Sequence, residues 1–296
     1  AVLDGQAKEV KRTQDGMGTL EQDYALLTHL DVSNGTNDVG NNAIIQIGAD
    51  VCAGVCGYPD ANEEDSWAWV TAKDSTPVYS GNPVPWFYYT VDRFGTRNGV
   101  RIDPFTNADA NDVIMLGSRF VVFSSTKTPA YAAFADIVNG VTAPNLWFNS
   151  TGFSAITGSN FPVAAVAINS SVAIAVGAGG RIWQTADGGI TWTLIDNAGI
   201  SAVNYTCVTA QPDGNVFIGG ASGTLVRMLK IPNSTNYTGS VVVVRDSSGN
   251  LLSSTINTVS TPSTRGDEVD LGTAGGEIWR SRNALATLPV FTNMPL

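Results

Sequence analysis

The sequence has few charged side chains. Asp, Glu, Lys and Arg make up 14% of its 296 residues, against roughly 25% in an average soluble protein. The net charge is −10, and only five residues are lysine. Because nucleic-acid-binding proteins neutralise phosphates with clustered cations, we expect no nucleic-acid partner. The surface must be built from Ser, Thr, Asn and Gly, which suits an extracellular protein or a subunit packed into an assembly.

Cysteine and histidine are also scarce. The three cysteines are Cys52, Cys56 and Cys207, and an odd number argues against a disulfide framework. The C-x-x-x-C spacing of the first two is not a strong metal or redox signature. Two interpretations stay open, namely one bridge with one free thiol, or small buried apolar side chains. His29 is the single histidine, so a histidine zinc site or catalytic triad has too few residues. We expect no bound metal.

Long apolar runs and cofactor motifs are missing too. No stretch reaches the roughly 18 apolar residues that a membrane helix needs, and the opening residues lack the apolar centre of a signal peptide. We therefore expect no membrane insertion. The sequence contains no P-loop, dinucleotide fingerprint, G-x-S-x-G elbow or H-E-x-x-H motif, so we also expect no cofactor.

The sequence is instead rich in strand signals. Short runs of Val, Ile, Thr and aromatic residues recur between Gly, Asn, Asp and Pro. The clearest are "NAIIQIG" (42–48), "PWFYYTV" (85–91), "RFVVFSS" (119–125), "SVAIAVG" (171–177), "NVFIGG" (215–220) and "SVVVVRD" (240–246). Helical periodicity is weak outside the first 27 residues. We expect those residues to form an arm or a short helix outside the core, where fraying in solvent is the default.

The second half of the chain repeats itself. The pattern A-G-G-x-I-W occurs at 178–183 and 274–279, and a weaker copy, A-x-G-x-L-V, lies at 221–226. The spacings are 43 and 53 residues. A strand-rich unit of that length is typical of a β-propeller blade, a four-stranded antiparallel sheet. We predict an all-β propeller of about six blades, between five and seven. An arm over 1–27 precedes a single domain over 28–296, with repeats clearest in 156–296.

One hairpin carries a more specific signal. The stretch "TADGGITW" (185–192) fits the pattern S/T-x-D-x-G-x-T-W. It resembles the Asp-box, or BNR repeat, of sialidases, sortilin-like receptors and photosystem II assembly-factor-like propellers. The matched residues are Thr185, Asp187, Gly189, Thr191 and Trp192. A degenerate copy is assigned to Trp279, Ser281, Asn283 and Thr287. The resemblance implies that such boxes lie at the blade periphery, away from the active face.

The chemistry of these residue types is that of a turn. Asp187 can accept hydrogen bonds from backbone N–H groups of its own turn, and Gly188 and Gly189 permit a positive φ. Trp192 is expected to bury its ring beside Trp183. The box therefore predicts a structural role, and we assign no catalytic residue.

A glycosidase stays open as the alternative. Sialidases are expected to bind a substrate carboxylate with three arginines, the first within an Arg-Ile-Pro motif. Here "GVRIDPF" (99–105) inserts an aspartate after Arg101 and Ile102. Arg119, Arg227 and Arg245 are available as later partners, but none carries a signature of the family.

These features favour a non-enzymatic structural protein. The low charge, the degenerate propeller and the polar arm are similar in style to bacteriophage virion proteins of the head surface, neck or tail. The expected location is the virion, and the expected partners are other virion or assembly proteins, with homo-oligomers and a surface glycan left open. The alternative is a secreted or periplasmic carbohydrate-binding or sialidase-like propeller. A photosystem assembly factor is a weaker third interpretation, because the eleven arginines are scattered.

Overall fold

The chain folds into two compact units, residues 1–150 and 151–296. The structure is a computed structural model. It describes residues 2–4, 9–13, 20–21, 52–57, 67–71, 86–90, 98–102, 105, 110–124, 132–136, 147–153, 161–195, 200, 202–211, 213–232, 237–261 and 268–294.

The first unit contains three sheets. The N-terminal sheet has three strands, β1 (Val2–Asp4), β2 (Glu9–Thr13) and β3 (Leu20–Glu21). Blade 1 consists of β4 (Cys52–Gly57), β5 (Trp67–Thr71), β6 (Trp86–Thr90) and β7 (Asn98–Arg101). Blade 2 consists of β8 (Ala110–Leu116), β9 (Arg119–Ser124), β10 (Ala132–Asp136) and β11 (Phe148–Asn149).

The second unit contains three further four-stranded sheets. Blade 3 consists of β12 (Pro162–Ala167), β13 (Ala173–Gly177), β14 (Ile182–Thr185) and β15 (Thr193–Leu194). Blade 4 consists of β16 (Tyr205–Ala210), β17 (Val216–Gly220), β18 (Leu225–Lys230) and β19 (Tyr237–Val242). Blade 5 consists of β20 (Ile256–Ser260), β21 (Val269–Thr273), β22 (Ile278–Ser281) and β23 (Thr292–Met294).

Each four-stranded sheet is an antiparallel meander whose strands pair in chain order. Successive sheets of this kind are the blades of a β-propeller, so the predicted all-β propeller class is confirmed. The described residues contain five such blades, which lies within the predicted range of five to seven. The single domain over 28–296 stays a prediction.

The opening residues differ from one expectation. At residues 2–4, 9–13 and 20–21, which the structure describes, they are strands and not the short helix considered for this segment. The arm over 1–27 stays a prediction. No helix in the described ranges has both the length and the apolar character needed to cross a bilayer.

The second strand of blade 4, β17, consists almost entirely of apolar residues and glycine. On β17, Val216 and Ile218 pack in a cluster with blade 3 residues such as Ile174. Phe217, between them in sequence, belongs to a second cluster with blade 5 residues such as Leu271. Successive strand residues point to opposite faces of a sheet, and both faces of this sheet are covered by neighbouring blades. All five residues of β17 are therefore buried.

The same principle holds in the first unit. Phe87 on β6 is fully buried and packs on Phe120 of blade 2, with ring centroids 4.7 Å apart. The ring of Trp147 contacts the ring of Phe87 edge-on, with ring centroids 5.5 Å apart. Aromatic pairs in these geometries stabilise beyond the area that they bury. This part of the aromatic run at 86–89 thus serves packing between blades.

The sequence repeat corresponds to one structural position. All three copies form the turn between the second and third strands of blades 3, 4 and 5. The last glycine of each turn, Gly180, Gly223 and Gly276, has φ of 71°, 67° and 79°. Glycine adopts this left-handed conformation without the steric cost of a Cβ. The repeat therefore records a shared turn geometry.

Candidate functional site

The box hairpin joins β14 to β15, the two outer strands of blade 3. Thr185 is buried at the end of β14, and its hydroxyl donates to Asp187 Oδ1 at 2.8 Å. The same hydroxyl oxygen accepts from the backbone N–H of Gly189 at 2.9 Å. Asp187 Oδ1 also accepts from the N–H of Thr191 at 2.9 Å. Two side chains thus bind the backbone on both arms of the turn.

The carboxylate of Asp187 is held in its ionised form. Partial burial acts to raise its pKa, but hydrogen bonds from the Thr191 backbone and the Thr185 hydroxyl outweigh this effect, so the pKa is lowered from 3.8. Hydrogen bonds to the charged form favour it. A general acid needs the opposite shift at neutral pH. The site therefore favours an acceptor for turn N–H groups over a proton donor.

Two glycines make the turn this short. Gly188 and Gly189 are buried, with φ of 72° and 85°. The N–H of Gly188 donates to the carbonyl of Ser171 at 2.9 Å, which ties the turn to the loop between β12 and β13. Side chains at these glycines would force a strained conformation.

Beside the turn lies a stack of three aromatic rings. Trp192 and Trp183 are both buried, and Phe153 lies against each of them. Its ring is stacked on Trp192 at 5.4 Å and meets Trp183 edge-on at 5.6 Å. Trp192 Nε1 donates to the carbonyl of Gly189 at 3.1 Å. Sequence reasoning missed Phe153, because it lies before β12 and outside the repeat.

The segment that carries Phe153 also binds the hairpin backbone. The N–H of Thr151 donates to the carbonyl of Ile190 at 2.9 Å, and the N–H of Trp192 donates to the carbonyl of Thr151 at 2.8 Å. Thr151 and Thr191 form a parallel bridge. The hairpin is therefore closed on its outer side by residues that belong to no strand of blade 3.

Blade 5 carries the degenerate copy in the equivalent hairpin, between β22 and β23. Ser281 Oγ donates to Asn283 Oδ1 at 2.9 Å, and the Asn283 N–H donates back to Ser281 Oγ at 3.3 Å. These contacts match those of Thr185 with Asp187. The second N–H donor differs from the predicted alignment, because it is Val290 at 3.1 Å and not Thr287.

The difference is one of loop length. Thr191 follows Asp187 by four positions, whereas Val290 follows Asn283 by seven. Phe291 comes next and is fully buried in the core of blade 5, as Trp192 is in blade 3. The signal in the sequence was the pair Val290-Phe291, which takes the place of Thr191-Trp192 after an insertion of three residues.

Arg227 holds this longer loop from blade 4. Its Nη1 donates to the backbone carbonyls of Ala284 and Ala286 at 3.0 and 2.8 Å. Hydrogen bonds from a charged donor are stronger than neutral ones. Arg227 was considered above for substrate binding. In the structure its side chain instead holds the loop of blade 5.

The other candidate arginines lie in separate places. The Arg119 guanidinium carbon lies 4.6 Å from the ring centre of Phe134, a cation–π contact within blade 2. Arg245 is exposed, and its carbonyl accepts from the N–H of Phe291 at 3.0 Å. Arg101 is the last residue of β7, and its side chain is outside the described residues.

The cysteine and metal predictions are tested only in part. Cys207 is a free thiol, and burial raises its pKa to about 11, so it is held as a neutral apolar group. The side chains of Cys52 and Cys56, and all of His29, are outside the described residues. Over the described ranges no three His, Cys, Asp or Glu side chains are grouped to hold a metal ion.

Comparison with known proteins identifies the fold. No protein-family model matches the sequence, and no curated protein matches it significantly. Solved structures do match. YCF48 from Cyanidioschyzon merolae has a TM-score of 0.54 at 14% identity, over 83% of this chain and 73% of that chain. The β-propeller domain of Myceliophteria thermophila Cps50 (Swd1) has a TM-score of 0.53 at 12% identity, over 83% and 73%.

A third similar structure is an enzyme. The GH74 enzyme of Niastella koreensis has a TM-score of 0.55 at 14% identity, over 82% of this chain and 38% of that chain. Identities this low establish a shared fold and no shared chemistry. The three structures therefore agree with the blade architecture of this chain in assigning it the β-propeller fold.

Proposed function

We propose that this protein is a non-enzymatic structural or interaction protein. Its most specific assignment is a bacteriophage virion component, located on the head surface, neck or tail. The propeller serves as a scaffold whose surface binds neighbouring subunits, and no cofactor takes part.

The observation that carries this proposal is how the ionisable side chains of the outer strands are used. Asp187 binds its own turn, and Arg227 binds two carbonyls of the next blade. Arg280 forms two hydrogen bonds of 2.6 Å with Asp270 on the adjacent strand. Bidentate pairs of this kind fix geometry. These charged side chains are therefore engaged in the turns, loops and strands of the blades.

The composition and the fold support the same role. A net charge of −10 with few charged residues keeps copies soluble and leaves large uncharged areas for contact between subunits. The likeness to YCF48 and to the Swd1 domain supports the propeller fold on which this proposed role depends. Residues 28–296 would then form the propeller, and residues 1–27 an arm toward a neighbour.

The test is association with intact virus particles. Particles from the virus that encodes the chain would be purified through two density gradients, and the protein would be quantified by mass spectrometry against the major capsid protein. We expect a fixed stoichiometry in every fraction that contains particles. Protein that stays in the soluble fraction, or whose ratio falls with each gradient, would overturn the virion assignment.

A second candidate is a carbohydrate-binding or sialidase-like propeller, and the fold shared with the GH74 enzyme favours it. Arg101 is its best substrate-binding candidate, because it lies in the near-match to Arg-Ile-Pro. Turnover of a fluorogenic sialoside, abolished by Arg101→Ala and retained by Arg119→Ala, would favour this enzyme. Absence of turnover in the folded wild-type protein would reject it.

A further inference from the structure

Arg181 follows the A-G-G turn of blade 3 and immediately precedes β14. The residue is half-buried, and its Nε atom is shielded from solvent without a hydrogen-bond acceptor among the described residues. A polar group that has lost water and gained no partner raises the free energy of the folded state. Because a guanidinium stays charged in proteins, Arg181 cannot avoid this cost by losing a proton. The fold alone therefore leaves this side chain incomplete.

The other described arginines of the second unit are either bonded or exposed. Arg227 also has a buried Nε without an acceptor, but its Nη1 donates to two backbone carbonyls. Arg280 forms a bidentate pair with Asp270, and the remaining two arginines are exposed. Within the described part of this unit, Arg181 is thus the arginine that is half-buried and has no acceptor for its side chain.

The other copies of the repeat show that the turn itself does not need an arginine. The same position after the turn is Thr224 in blade 4 and Glu277 in blade 5. The Glu277 carboxylate accepts hydrogen bonds from Trp279 Nε1 and Asn293 Nδ2 within its own blade. A hydroxyl, a carboxylate and a guanidinium therefore all fit this turn geometry, so the reason for Arg181 lies outside the turn.

A second hydrogen-bond donor lies beside the same turn. The N–H of Gly180 donates to the carbonyl of Val203 at 2.6 Å, and the N–H of Gly179 donates to Asn204 Oδ1 at 3.1 Å. This contact fixes the orientation of the Asn204 amide, because a backbone N–H must meet an oxygen. Asn204 is exposed, and with Oδ1 engaged its Nδ2 group is the part that a ligand can meet. The turn at 178–180 has no side chain larger than a methyl group, so a ligand can approach its backbone closely.

We infer that Arg181 and Asn204 bind a carboxylate side chain of a protein partner beside the turn at 178–180. Both groups offer N–H donors, and a guanidinium pairs with a planar carboxylate through charge-assisted hydrogen bonds. The turn carries no aromatic side chain on which a sugar ring would stack, so an acidic peptide segment fits better than an acidic sugar. This inference rests on the proposed role as an interaction scaffold and names the chemistry of one of its contacts.

The test is binding of two peptides, Gly-Glu-Gly-Glu-Gly and Gly-Gln-Gly-Gln-Gly, to the purified full chain. Both peptides are capped at each end, so that only the side chains differ in charge. The glutamate peptide should shift the NMR signal of the Arg181 Nε–H group and bind about tenfold more tightly than the glutamine peptide. Arg181→Gln should weaken its binding about tenfold. Arg282→Gln, which removes an exposed arginine of blade 5, is the matched control and should bind as wild type does.

Two further variants separate binding from folding. Asn204→Asp keeps the acceptor for the Gly179 N–H but replaces the donor by a negative charge, so it should remove binding of the glutamate peptide while circular dichroism stays unchanged. Arg181→Met keeps the apolar stem and removes the guanidinium. Without peptide, its urea midpoint should equal or exceed that of wild type, because no hydrogen bond is lost.

Several results would overturn the inference. They are equal binding of the two peptides, wild-type binding by Arg181→Gln, equal loss in Arg282→Gln, and a lowered urea midpoint for Arg181→Met. Binding of inorganic phosphate at Arg181 without binding of the glutamate peptide would also reject a carboxylate site. A chain that binds neither peptide but stays on virions at fixed stoichiometry would overturn this inference while the proposed function stands.

Discussion

Blades 3 and 5 both end their third strand on a hydroxyl side chain, followed two residues later by a carboxylate or an amide. In blade 3, Thr185 and Asp187 close a turn that returns at Thr191. In blade 5, Asn283 reaches a donor seven positions away, and Arg227 of blade 4 binds the intervening loop. The short turn with two glycines is held by its own side chains and by the segment at 151–153, whereas the longer loop without them is held by an arginine of the neighbouring blade.

The largest expected effect is loss of the aromatic residue that comes after each turn. Trp192→Ala and Phe291→Ala each empty a fully buried site and should lower the free energy of unfolding by about 3–5 kcal/mol. Urea titration followed by circular dichroism measures this. Leu288→Ala, at an exposed side chain, should change stability by no more than about 0.5 kcal/mol. A small effect of Trp192→Ala would mean that the stack with Phe153 is not part of the core.

The next effect separates backbone strain from steric overlap beside the blade 3 hairpin. Gly152 has φ of 85°, and a Cβ there would overlap the carbonyl of Trp192. Gly152→Ala should therefore destabilise by about 3 kcal/mol. Gly249 has nearly the same φ, 87°, with no atom within 4 Å of an added Cβ, so Gly249→Ala should destabilise by only about 1 kcal/mol. Equal unfolding midpoints for the two variants would contradict the close approach at Gly152.

Loss of the hydrogen bonds from Arg227 should loosen the loop between β22 and β23 of blade 5 and leave the blade 3 hairpin unchanged. Arg227→Met keeps the apolar stem and loses both hydrogen bonds to the loop, so we expect a loss of about 2 kcal/mol. Hydrogen exchange should accelerate around residues 284–290 and stay unchanged around the blade 3 hairpin. Arg282→Met, at an exposed arginine of the same loop, is the control. Equal hydrogen-exchange rates around residues 284–290 in both variants would show that the loop does not depend on Arg227.

A smaller effect comes from exchanging the two acceptors. Asp187→Asn replaces a charged acceptor by a neutral one and should destabilise by about 1 kcal/mol, since charge-assisted hydrogen bonds are the stronger. Asn283→Asp should stabilise by up to about 1 kcal/mol for the same reason. Both are measured by urea unfolding at pH 7. If both substitutions shift stability in the same direction, the two hairpins do not share this chemistry.

The smallest expected effect is the pH dependence of the contribution that Asp187 makes to the free energy of unfolding. Its pKa in the folded protein is lowered from 3.8, so the ionised carboxylate stabilises the fold above that pH. This contribution is lost as the pH falls below 3.8 through the folded-state pKa. The difference in urea midpoint between wild type and Asp187→Asn should therefore be constant from pH 7 to 5 and shrink toward pH 3. A difference that grows on acidification would contradict the lowered pKa.

Local sequence patterns were enough to predict the all-β propeller fold. The repeat at 178–183, 221–226 and 274–279 marks the same turn in three blades because that turn needs a left-handed glycine. The strand runs at 119–125 and 171–177 became β9 and β13, because β-branched and aromatic residues fit a pleated buried surface. Such rules act within a few residues, which is why they are readable without coordinates.

Contacts between distant segments were not predictable in the same way. Nothing in the sequence pairs Phe153 with Trp192, or Arg227 with Ala284 and Ala286, because those partners are brought together only when blades and loops pack. The alignment of Thr287 with Thr191 failed for the same reason. Loop length is tolerated at the surface, so the residue that completes the turn depends on where the chain returns.

By itself, then, the sequence determined that the chain forms small antiparallel sheets with repeated glycine turns, since strand pattern and turn chemistry are local properties. Only the tertiary structure decided which sheet faces each apolar row and which arginine supports which loop. It also left the Nε atom of Arg181 without an acceptor among the described residues. Those outcomes depend on burial and on hydrogen bonds between residues far apart in the chain, which one-dimensional patterns do not encode.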